Sequence, residues 1–303
     1  MTNIFSGFFE NYKIFFEEEE ALLFVLRLTE KTLPLLCSYC SETSICVKKN
    51  YQRKSGIFLK CRNCKRKCIF SKYFDRSYPN IPLGKILLSA FLYVSNLRNY
   101  QVLAQVNISE HSYIDLKNGF RRVLLSITDC PKIGGPASVF QIDETACNRR
   151  RLITNPTSMD PYVRGTVWLI GLVPETTGEI RLKVLANRHA ETIYDFINEN
   201  LIEGSIIKTD GYPSYPPAVQ RHNSEHIVVN HTMGFVNEEG DHTNTIESVW
   251  SRIKSDIRAR CGVRYDKLQE YAEEYQTLFN NRRRNNTANI NSLFVRLIKA
   301  LFG

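Results

Sequence analysis

The order of short apolar segments after residue 136 restricts the possible folds more than any other feature of this chain. Strands are expected at 137–143, 163–173 and 179–186, a helix at 190–200, and further strands at 205–209 and 226–230. The Gly- and Pro-rich segment 130–136 before this series predicts a domain boundary. Two strands end in an aspartate, Asp143 and Asp210. The series therefore predicts a mixed central sheet with helices on both faces, and sites in such sheets gather at strand ends.

This order of elements is typical of an RNase H-like α/β fold, which we expect to span residues 137–285. A later helix of this domain, starting near Asn244, has two different faces at about 100° per residue. Its apolar stripe contains Ile246, Val249, Trp250, Ile253 and Ile257. Its polar strip contains Glu247, Lys254 and Arg258. Such a helix can place one carboxylate beside a metal ion and two bases beside a phosphate.

Each of the three acids also has a simpler structural explanation. Asp210 precedes Gly211, and an Asp-Gly pair is more often only a turn. Asp143 ends an apolar strand and could cap the next segment. Glu247 follows Asn244 by three residues, so the pair could be only a helix cap. For Glu247 the two roles are compatible, because the positive end of the helix dipole helps keep a first-turn carboxylate ionised.

Three carboxylates that converge without a cation would repel one another and raise one pKa. Mg²⁺ or Mn²⁺ removes this conflict, because both ions prefer oxygen ligands. Two such ions about 3.5–4 Å apart can activate an attacking oxygen and stabilise a leaving oxygen. We therefore expect Asp143, Asp210 and Glu247 to be catalytic ligands of two Mg²⁺ or Mn²⁺ ions, at which water or a DNA 3′-hydroxyl can attack.

Four cysteines form two CxxC motifs, Cys37–Cys40 and Cys61–Cys64, with twenty residues between them. Each motif can supply two thiolates to a tetrahedral zinc ion, at about 2.3 Å from the metal. Two motifs at this spacing predict a four-cysteine zinc ribbon over residues 37–74 with one structural Zn²⁺.

Basic residues crowd the same segment, which has no acid between Thr43 and Phe74. The net charge of +9 and the pI of about 9.1 indicate a polyanionic partner. We therefore expect this segment to contact double-stranded DNA. The residues expected to do so are Lys48, Lys49, Arg53, Lys54, Lys65, Arg66 and Lys67.

The remaining segments carry weaker signals. Residues 1–36 contain a short amphipathic helix, best explained as a packing element, and 286–303 are left as a C-terminal tail. Three short helices at 80–128 have the proportions of a helix-turn-helix DNA-binding module or of a connecting bundle. The N-terminal region lacks a secretory signal, and its longest apolar run is too short to span a bilayer. We therefore expect a soluble intracellular protein with no membrane partner and with reduced thiols.

Several motifs of the second half occur together in one family. They are Gln141–Thr145, Gly204–Tyr212 with Tyr215, Val229–Thr232 with Phe235–Val236, His242–Trp250, and Phe279 with Arg282–Arg284. With the two CxxC motifs, the chain resembles the DDE transposases of Merlin-type elements and related bacterial insertion sequences whose transposases begin with a zinc ribbon. The resemblance covers about residues 37–284, and the HTNxIExxW pattern is its most specific part.

The resemblance implies that Asp143, Asp210 and Glu247 are the DDE triad, with 37 residues from the second acid to the third. It places Lys254 where related integrases contact DNA, and Arg258 lies on the same strip. It implies supporting or substrate roles for His231 and His242, for which simple loop packing is an equal alternative, and a supporting role for Asn244, which could also be only a helix cap. The implied activity is cleavage and transfer of DNA strands at transposon ends, by a homo-oligomer that acts on transposon ends and target.

Two alternatives stay open at this point. One is a host-adopted DNA-binding regulator that keeps the fold without transposition, which the intact acids argue against. The other is a nuclease that only hydrolyses DNA. The closer likeness to Merlin-type sequences favours a eukaryotic host and a nuclear location, whereas a bacterial protein would lie in the cytoplasm on the nucleoid.

Overall fold

The computed structural model of the protein describes residues 12–49, 57–68, 81–147, 153–154, 167–176, 179–229, 244–283 and 287–303. The chain divides into two compact units, Met1–Thr128 with Arg284–Gly303, and Asp129–Arg283. Among the residues described, the helices are too short or too polar for any of them to cross a membrane.

The first unit contains a small sheet and a group of helices. Its helices are α1 (Lys13–Phe16), α2 (Glu18–Leu28), α3 (Leu83–Val94), α4 (Asn99–Val106), α5 (Glu110–Ser126) and a C-terminal helix (Thr287–Phe302). Its antiparallel sheet runs in the order β1 (Leu35–Leu36), β2 (Thr43–Lys49), β3 (Ile57–Cys61) and β4 (Lys67–Cys68). Three helices therefore lie where the sequence predicts a helical module, and a hairpin separates the two CxxC motifs. The DNA-binding role of that module stays a prediction.

The segment 286–303, set apart above as a tail, is largely helical. Leu293, Phe294, Leu297 and Ile298 recur at helical spacing and are all buried. The ring of Phe294 packs against Phe24 and Phe91, with centroids 6.1 Å and 5.7 Å away. The apolar face of this helix thus completes the core formed by α2 and α3, which explains why the segment folds.

The second unit is built on a five-stranded mixed sheet. Its elements are β5 (Ile133–Gly134), β6 (Val139–Cys147), β7 (Ile153–Thr154), β8 (Val167–Pro174), β9 (Arg181–Leu185), α6 (Ala190–Asn200), β10 (Leu201–Ile202), β11 (Ile206–Thr209), α7 (Tyr215–Arg221), β12 (Glu225–Val228), α8 (Asn244–Ala259), β13 (Val263–Arg264) and α9 (Leu268–Arg283). The sheet order is β12-β11-β6-β8-β9. Strands β6, β8 and β9 pair antiparallel, whereas β11 pairs parallel with both β6 and β12. This topology confirms the predicted RNase H-like α/β class.

Each face of the sheet has its own core, because side chains alternate along a strand. Phe140 and Ile142 of β6 pack with α6 and α7 on one face. Cys147 of β6 packs with α8 and α9 on the other face. The five apolar residues predicted for the stripe of α8, namely Ile246, Val249, Trp250, Ile253 and Ile257, are all buried. The apolar stripe therefore places α8 against the sheet, with its polar strip outward.

Strand β9 lies at one edge of the sheet, and side chains of α9 form hydrogen bonds with the backbone groups on its outer side. The backbone N–H of Leu182 donates to Gln276, and that of Val184 donates to Gln269, at 2.7 Å and 2.8 Å. Next to β9, the N–H and carbonyl of Ile180 bond the side-chain amide of Asn280 at 2.8 Å and 2.9 Å. Edge strands expose groups of this kind to other chains unless they are covered. Helix α9 thus covers this edge with three amide side chains.

Candidate active site

Asp210 directly follows β11, and Asp143 lies in the middle of the neighbouring parallel strand β6, which continues to Cys147 instead of ending at residue 143 as predicted. The register pairs Lys208 of β11 with Gln141 of β6, so the residues two positions further on, Asp210 and Asp143, come level. One carboxylate oxygen from each of Asp143, Asp210 and Glu144, the residue after Asp143 on β6, lies within 4.8 Å of the other two. The structure therefore brings the two predicted aspartates together where β11 ends beside the middle of β6.

Glu144 is part of this cluster, although the sequence analysis did not single it out. Its Oε2 accepts a 2.6 Å hydrogen bond from the hydroxyl of Tyr215, and its Oε1 accepts one of 3.1 Å from Nε of Arg188. Burial raises the pKa of Tyr215 far above its ordinary value, so the phenol keeps its proton and donates. Both oxygens of Glu144 therefore have protein partners on the α7 face of the sheet, opposite the face that carries α8.

Arg188 is held by more than its ion pair with Glu144. Its guanidinium lies over the ring of Trp168 at 4.1 Å from the centroid and over the ring of Tyr212 at 3.6 Å. Stacking on two rings favours arginine over lysine, because only the planar guanidinium can lie flat against both. The cation is thereby fixed beside the acids. The only local sequence signal of this arrangement is that Glu144 directly follows Asp143, because its partners Arg188 and Tyr215 lie 44 and 71 residues away.

The side chain of Asp143 lies on the face of the sheet that carries α8, and its pKa is raised. Burial raises its pKa to about 6, the charges of Asp210 and Glu144 add to the increase, and a hydrogen bond from Trp250 opposes it. That bond joins the indole Nε1 to Oδ2 of Asp143 at 2.9 Å. Desolvation and like-charge repulsion both penalise the ionised carboxylate, and a divalent cation would relieve both penalties.

Glu247 lies in the first turn of α8 and is exposed. It is not in the group whose oxygens lie within 4.8 Å of one another, which among the described residues contains only Asp143, Glu144 and Asp210. One turn further along the helix, Trp250 contacts Asp143 directly. Residues three apart on a helix have Cβ atoms about 5–6 Å apart, so Glu247 lies on the turn next to that contact. Its role as the third ligand stays a prediction.

The start of α8 is joined to β6 by a residue that sequence analysis missed as a site residue. The side-chain oxygen of Gln141 accepts hydrogen bonds from the backbone N–H groups of Thr245 and Ile246, both at 3.1 Å. Its side-chain nitrogen donates to Glu175 at 3.2 Å, and Lys208 donates to the same glutamate oxygen at 2.8 Å. Gln141 is fully buried, and its separation from α8 in sequence hid the contact.

The remaining predicted residues of this region differ in what the structure describes. Lys254 is half-buried near Cys147, where its charge opposes the increase in thiol pKa caused by burial. Arg258 and Asn244 are exposed on α8. His231 and His242 lie outside the described residues. A half-buried and an exposed base on the polar strip of α8 are compatible with the predicted DNA contacts, which stay predictions.

The four predicted zinc ligands form one cluster in the first unit. The Sγ atoms of Cys37, Cys40, Cys61 and Cys64 all lie within 4.8 Å of one another. The Cys37–Cys64 and Cys40–Cys61 sulfur distances are 3.8 Å and 3.7 Å. Tetrahedral coordination with metal–sulfur bonds of about 2.3 Å requires sulfurs about 3.8 Å apart, so the cluster has the size that a zinc ion needs.

Hydrogen bonds lower the pKa of two thiols of this cluster, Cys37 and Cys61. A hydrogen bond from the Arg66 N–H also lowers the pKa of Cys64, but burial and the neighbouring cysteines outweigh that bond and raise the pKa of Cys64 to about 11. The Tyr39 N–H donates to Cys37 Sγ at 3.4 Å and is the main cause of the lowered pKa of Cys37. Burial raises the pKa of Cys61, but a hydrogen bond with Ser44 and the N–H groups of Cys64 and Asn63 outweigh burial and lower it to about 6. Because thiolates are the metal-binding form, these contacts favour a structural metal site.

Part of the basic surface around the cysteines is described. Arg66 lies over the ring of Tyr39 at 4.9 Å, and Lys67 over the ring of Phe58 at 5.3 Å. Lys48 and Lys65 are exposed. Lys49 lies at the end of β2, and Arg53 and Lys54 fall outside the described residues. The predicted DNA contacts of this segment stay predictions.

Residues 140–280 match the family model of the ISXO2-like transposase domain, the DDE domain of the IS1595 family. No curated protein matches. Among solved structures, the HTLV-2 integrase catalytic core domain in complex with magnesium is similar in its trimeric form, at 15% identity and a TM-score of 0.30, over 48% of this chain and 84% of that chain. Its dimeric form is similar at 14% identity and a TM-score of 0.30, over 48% and 86% of the two chains.

Proposed function

We propose, because residues 140–280 match the ISXO2-like transposase domain, that this protein cleaves and joins DNA strands at transposon ends. The family match confirms the transposase resemblance seen in the motifs. The observation that carries the finer proposal is the convergence of Asp143 on β6 with Asp210 at the end of the adjacent strand β11, with the pKa of Asp143 raised to about 6. Two carboxylates this close repel each other and so destabilise the folded chain. A bound cation would neutralise their charge and remove this penalty.

The residues present fit a pair of Mg²⁺ or Mn²⁺ ions. All the candidate ligand atoms of the acid cluster are carboxylate oxygens, which these hard ions prefer. Two bound ions would activate the attacking oxygen and stabilise the leaving oxygen of the scissile phosphodiester. Asp143 would hold the ions from β6 and Asp210 from the end of β11, while burial by α8 limits the access of water to Asp143.

The third ligand in this proposal is Glu247 rather than Glu144. The two oxygens of Glu144 already accept hydrogen bonds from Tyr215 and Arg188, on the opposite face of the sheet from Trp250. Glu247 has an exposed side chain on the helix that contacts Asp143. Its position in the first turn of α8 also favours the ionised form through the helix dipole. Glu144 then serves to hold Arg188 beside the acids.

The other parts of the chain would bind and align the DNA. The four-cysteine cluster would hold one structural Zn²⁺, and the basic residues around it would contact phosphates. Lys254 and Arg258 would contact DNA beside the catalytic acids. Joining two transposon ends requires two active sites, so the proposal includes a homo-oligomer on double-stranded DNA.

The test is a cleavage and strand-transfer assay with the full-length protein and the DNA that flanks its gene. We expect nicked and joined products in the presence of Mg²⁺ or Mn²⁺ and none in their absence. We expect Asp210→Asn and Glu247→Gln to abolish both products. Matched controls are Asp195→Asn and Glu225→Gln, which make the same chemical changes at exposed acids on α6 and β12.

Each outcome of this assay decides one part of the proposal. Equal activity of Asp210→Asn and the wild type would refute the active site. Nicked products without joined products would identify a nuclease that only hydrolyses DNA. Glu144→Gln separates the two candidates for the third ligand, because we expect it to cleave DNA with the wild-type dependence on Mg²⁺ concentration, whereas Glu247→Gln does not cleave DNA.

A further inference from the structure

Helix α8 touches strand β6 at two points that lie on either side of Glu247 along the helix. The first is Gln141, whose oxygen accepts the N–H groups of Thr245 and Ile246. The second is Asp143, which accepts the indole N–H of Trp250. Residues two apart on a strand are separated by about 6.8 Å, and four to five helical residues rise by about 6–7.5 Å. The two spacings are similar, so both contacts can form at the same time.

The absence of a side chain at Gly171 on the neighbouring strand leaves space for the ring of Trp250. Gly171 of β8 is the cross-strand partner of Asp143. A Cβ at position 171 would lie 2.5 Å from Cη2 and 2.9 Å from Cζ2 of Trp250, distances that real contacts do not reach. The indole therefore lies directly over the glycine backbone, with its N–H aimed at the carboxylate on the adjacent strand.

We propose that Trp250 is a positioning residue for the metal-binding acids, which it sets in place together with Gln141 and Gly171. The inference rests on the proposed function, because it assumes that Asp143 and Glu247 hold the same ions. The indole N–H binds one oxygen of Asp143 and so fixes the rotamer that turns the other oxygen toward the metal. The same contact fixes the height of α8 on the sheet, and with it the position of Glu247 one turn earlier.

Trp250→Phe removes the N–H donor and keeps an aromatic ring. We expect the Mg²⁺ concentration for half-maximal DNA cleavage to rise by roughly 10–100-fold, the usual effect of losing a residue that orients a metal ligand. The rate at saturating Mg²⁺ changes less, because Trp250 does not touch the reacting atoms. Ile257→Val is the matched control. It removes one methyl group from the same buried face of α8, away from the acids, and leaves the Mg²⁺ requirement unchanged.

Gly171→Ala tests the same contact from the opposite side, without altering any hydrogen-bonding group. The added methyl group displaces the indole, so we expect a rise in the Mg²⁺ requirement like that of Trp250→Phe. Phenylalanine lacks the Cη2 and Cζ2 atoms that the methyl group meets. In the Gly171→Ala, Trp250→Phe double variant, the Mg²⁺ requirement therefore rises by less than the product of the two separate increases.

Fluorescence gives a readout that does not require DNA or a change at position 250. Trp168 and Trp250 are the two tryptophans of the chain, so Trp168→Phe leaves Trp250 as the emitter. We expect Mg²⁺ alone to change its emission saturably, and Asp143→Asn to abolish that change. An emission that does not respond to Mg²⁺, or a folded Trp250→Phe variant with the wild-type Mg²⁺ requirement, overturns the inference. If wild type fails to cleave DNA, or Glu247→Gln stays active, the proposed function is what fails.

Discussion

Replacing Asp143 with asparagine is expected to stabilise the metal-free second unit while it abolishes cleavage. Asparagine removes the charge whose burial raises the pKa of Asp143 to about 6 from an ordinary 3.8. Its side-chain oxygen can still accept the hydrogen bond that Trp250 donates to Asp143 Oδ2. The variant therefore loses the electrostatic penalty and keeps the contact with α8.

The sign and size of the effect follow from the pKa difference between the folded and unfolded chains. Because the folded-state pKa of this acid is raised, ionisation weakens the fold as pH rises from about 4 to above 6. A difference of about 2 pKa units corresponds to roughly 3 kcal/mol of unfolding free energy at pH 7.5 and about half of that at pH 5. The asparagine variant carries none of this penalty, so its advantage over the wild type grows with pH.

Tryptophan fluorescence is a suitable probe for this measurement, because Trp168 and Trp250 both belong to Asp129–Arg283. Urea unfolding without added metal ions, at pH 5 and pH 7.5, gives the free energy of unfolding of each variant. Addition of Mg²⁺ is expected to stabilise the wild type and not Asp143→Asn, since a ligand stabilises only the state that binds it. The gap between the two proteins should therefore narrow as Mg²⁺ increases.

Asp210→Asn serves as the comparison, because its side chain is exposed and its removal changes little buried charge. We expect it to stabilise the unit far less than Asp143→Asn does. An Asp143→Asn variant no more stable than wild type at pH 7.5, or equally favoured at both pH values, would refute the reasoning.

Three further predictions follow from other contacts. Cys61→Ser is expected to lower the zinc content, measured by elemental analysis, from one ion per chain to none, and a full zinc content would contradict the ribbon. Tyr215→Phe leaves Glu144 without its 2.6 Å donor and should lower the free energy of unfolding by about 1–3 kcal/mol; an unchanged urea midpoint would argue against this contact. Gly211→Ala places a Cβ 2.6 Å from Val228 at a φ of +79° and should weaken Mg²⁺ binding by moving Asp210. Gly204→Ala, at the same φ but 3.5 Å from its nearest neighbour, is the control and should leave Mg²⁺ binding, followed by fluorescence, unchanged.

Much of the fold could be predicted from the periodicity of apolar residues and from Gly- and Pro-rich turn segments. Helix α6 has the predicted bounds of 190–200, since an apolar face and a following turn define it locally. Helix α7 was missed, because Pro216 and Pro217 resemble a loop signal. Proline is tolerated in the first turn of a helix, where its missing N–H has no partner to lose.

The candidate site could be predicted only in part, and strand geometry explains which part. Asp210 directly follows a strand, which is a local signal, and the apolar run before Asp143 marks its strand, although β6 continues to Cys147. The contacts of Glu144 with Arg188 and Tyr215, and of Gln141 with α8, join residues 44 to 105 positions apart. No local pattern records such pairs, because they depend on the sheet order and on which face each side chain takes.

The amide side chains of α9 along strand β9 limit how copies of this protein can associate. A second copy that extended the sheet at this edge would have to displace Gln269, Gln276 and Asn280 from their backbone partners. Each lost hydrogen bond would weaken the association by about 0.5–1.5 kcal/mol before any new backbone pairing formed. Subunits brought together by two DNA ends would therefore meet through other surfaces, and the interior strands that carry the acids would keep the same neighbours in the free and assembled protein.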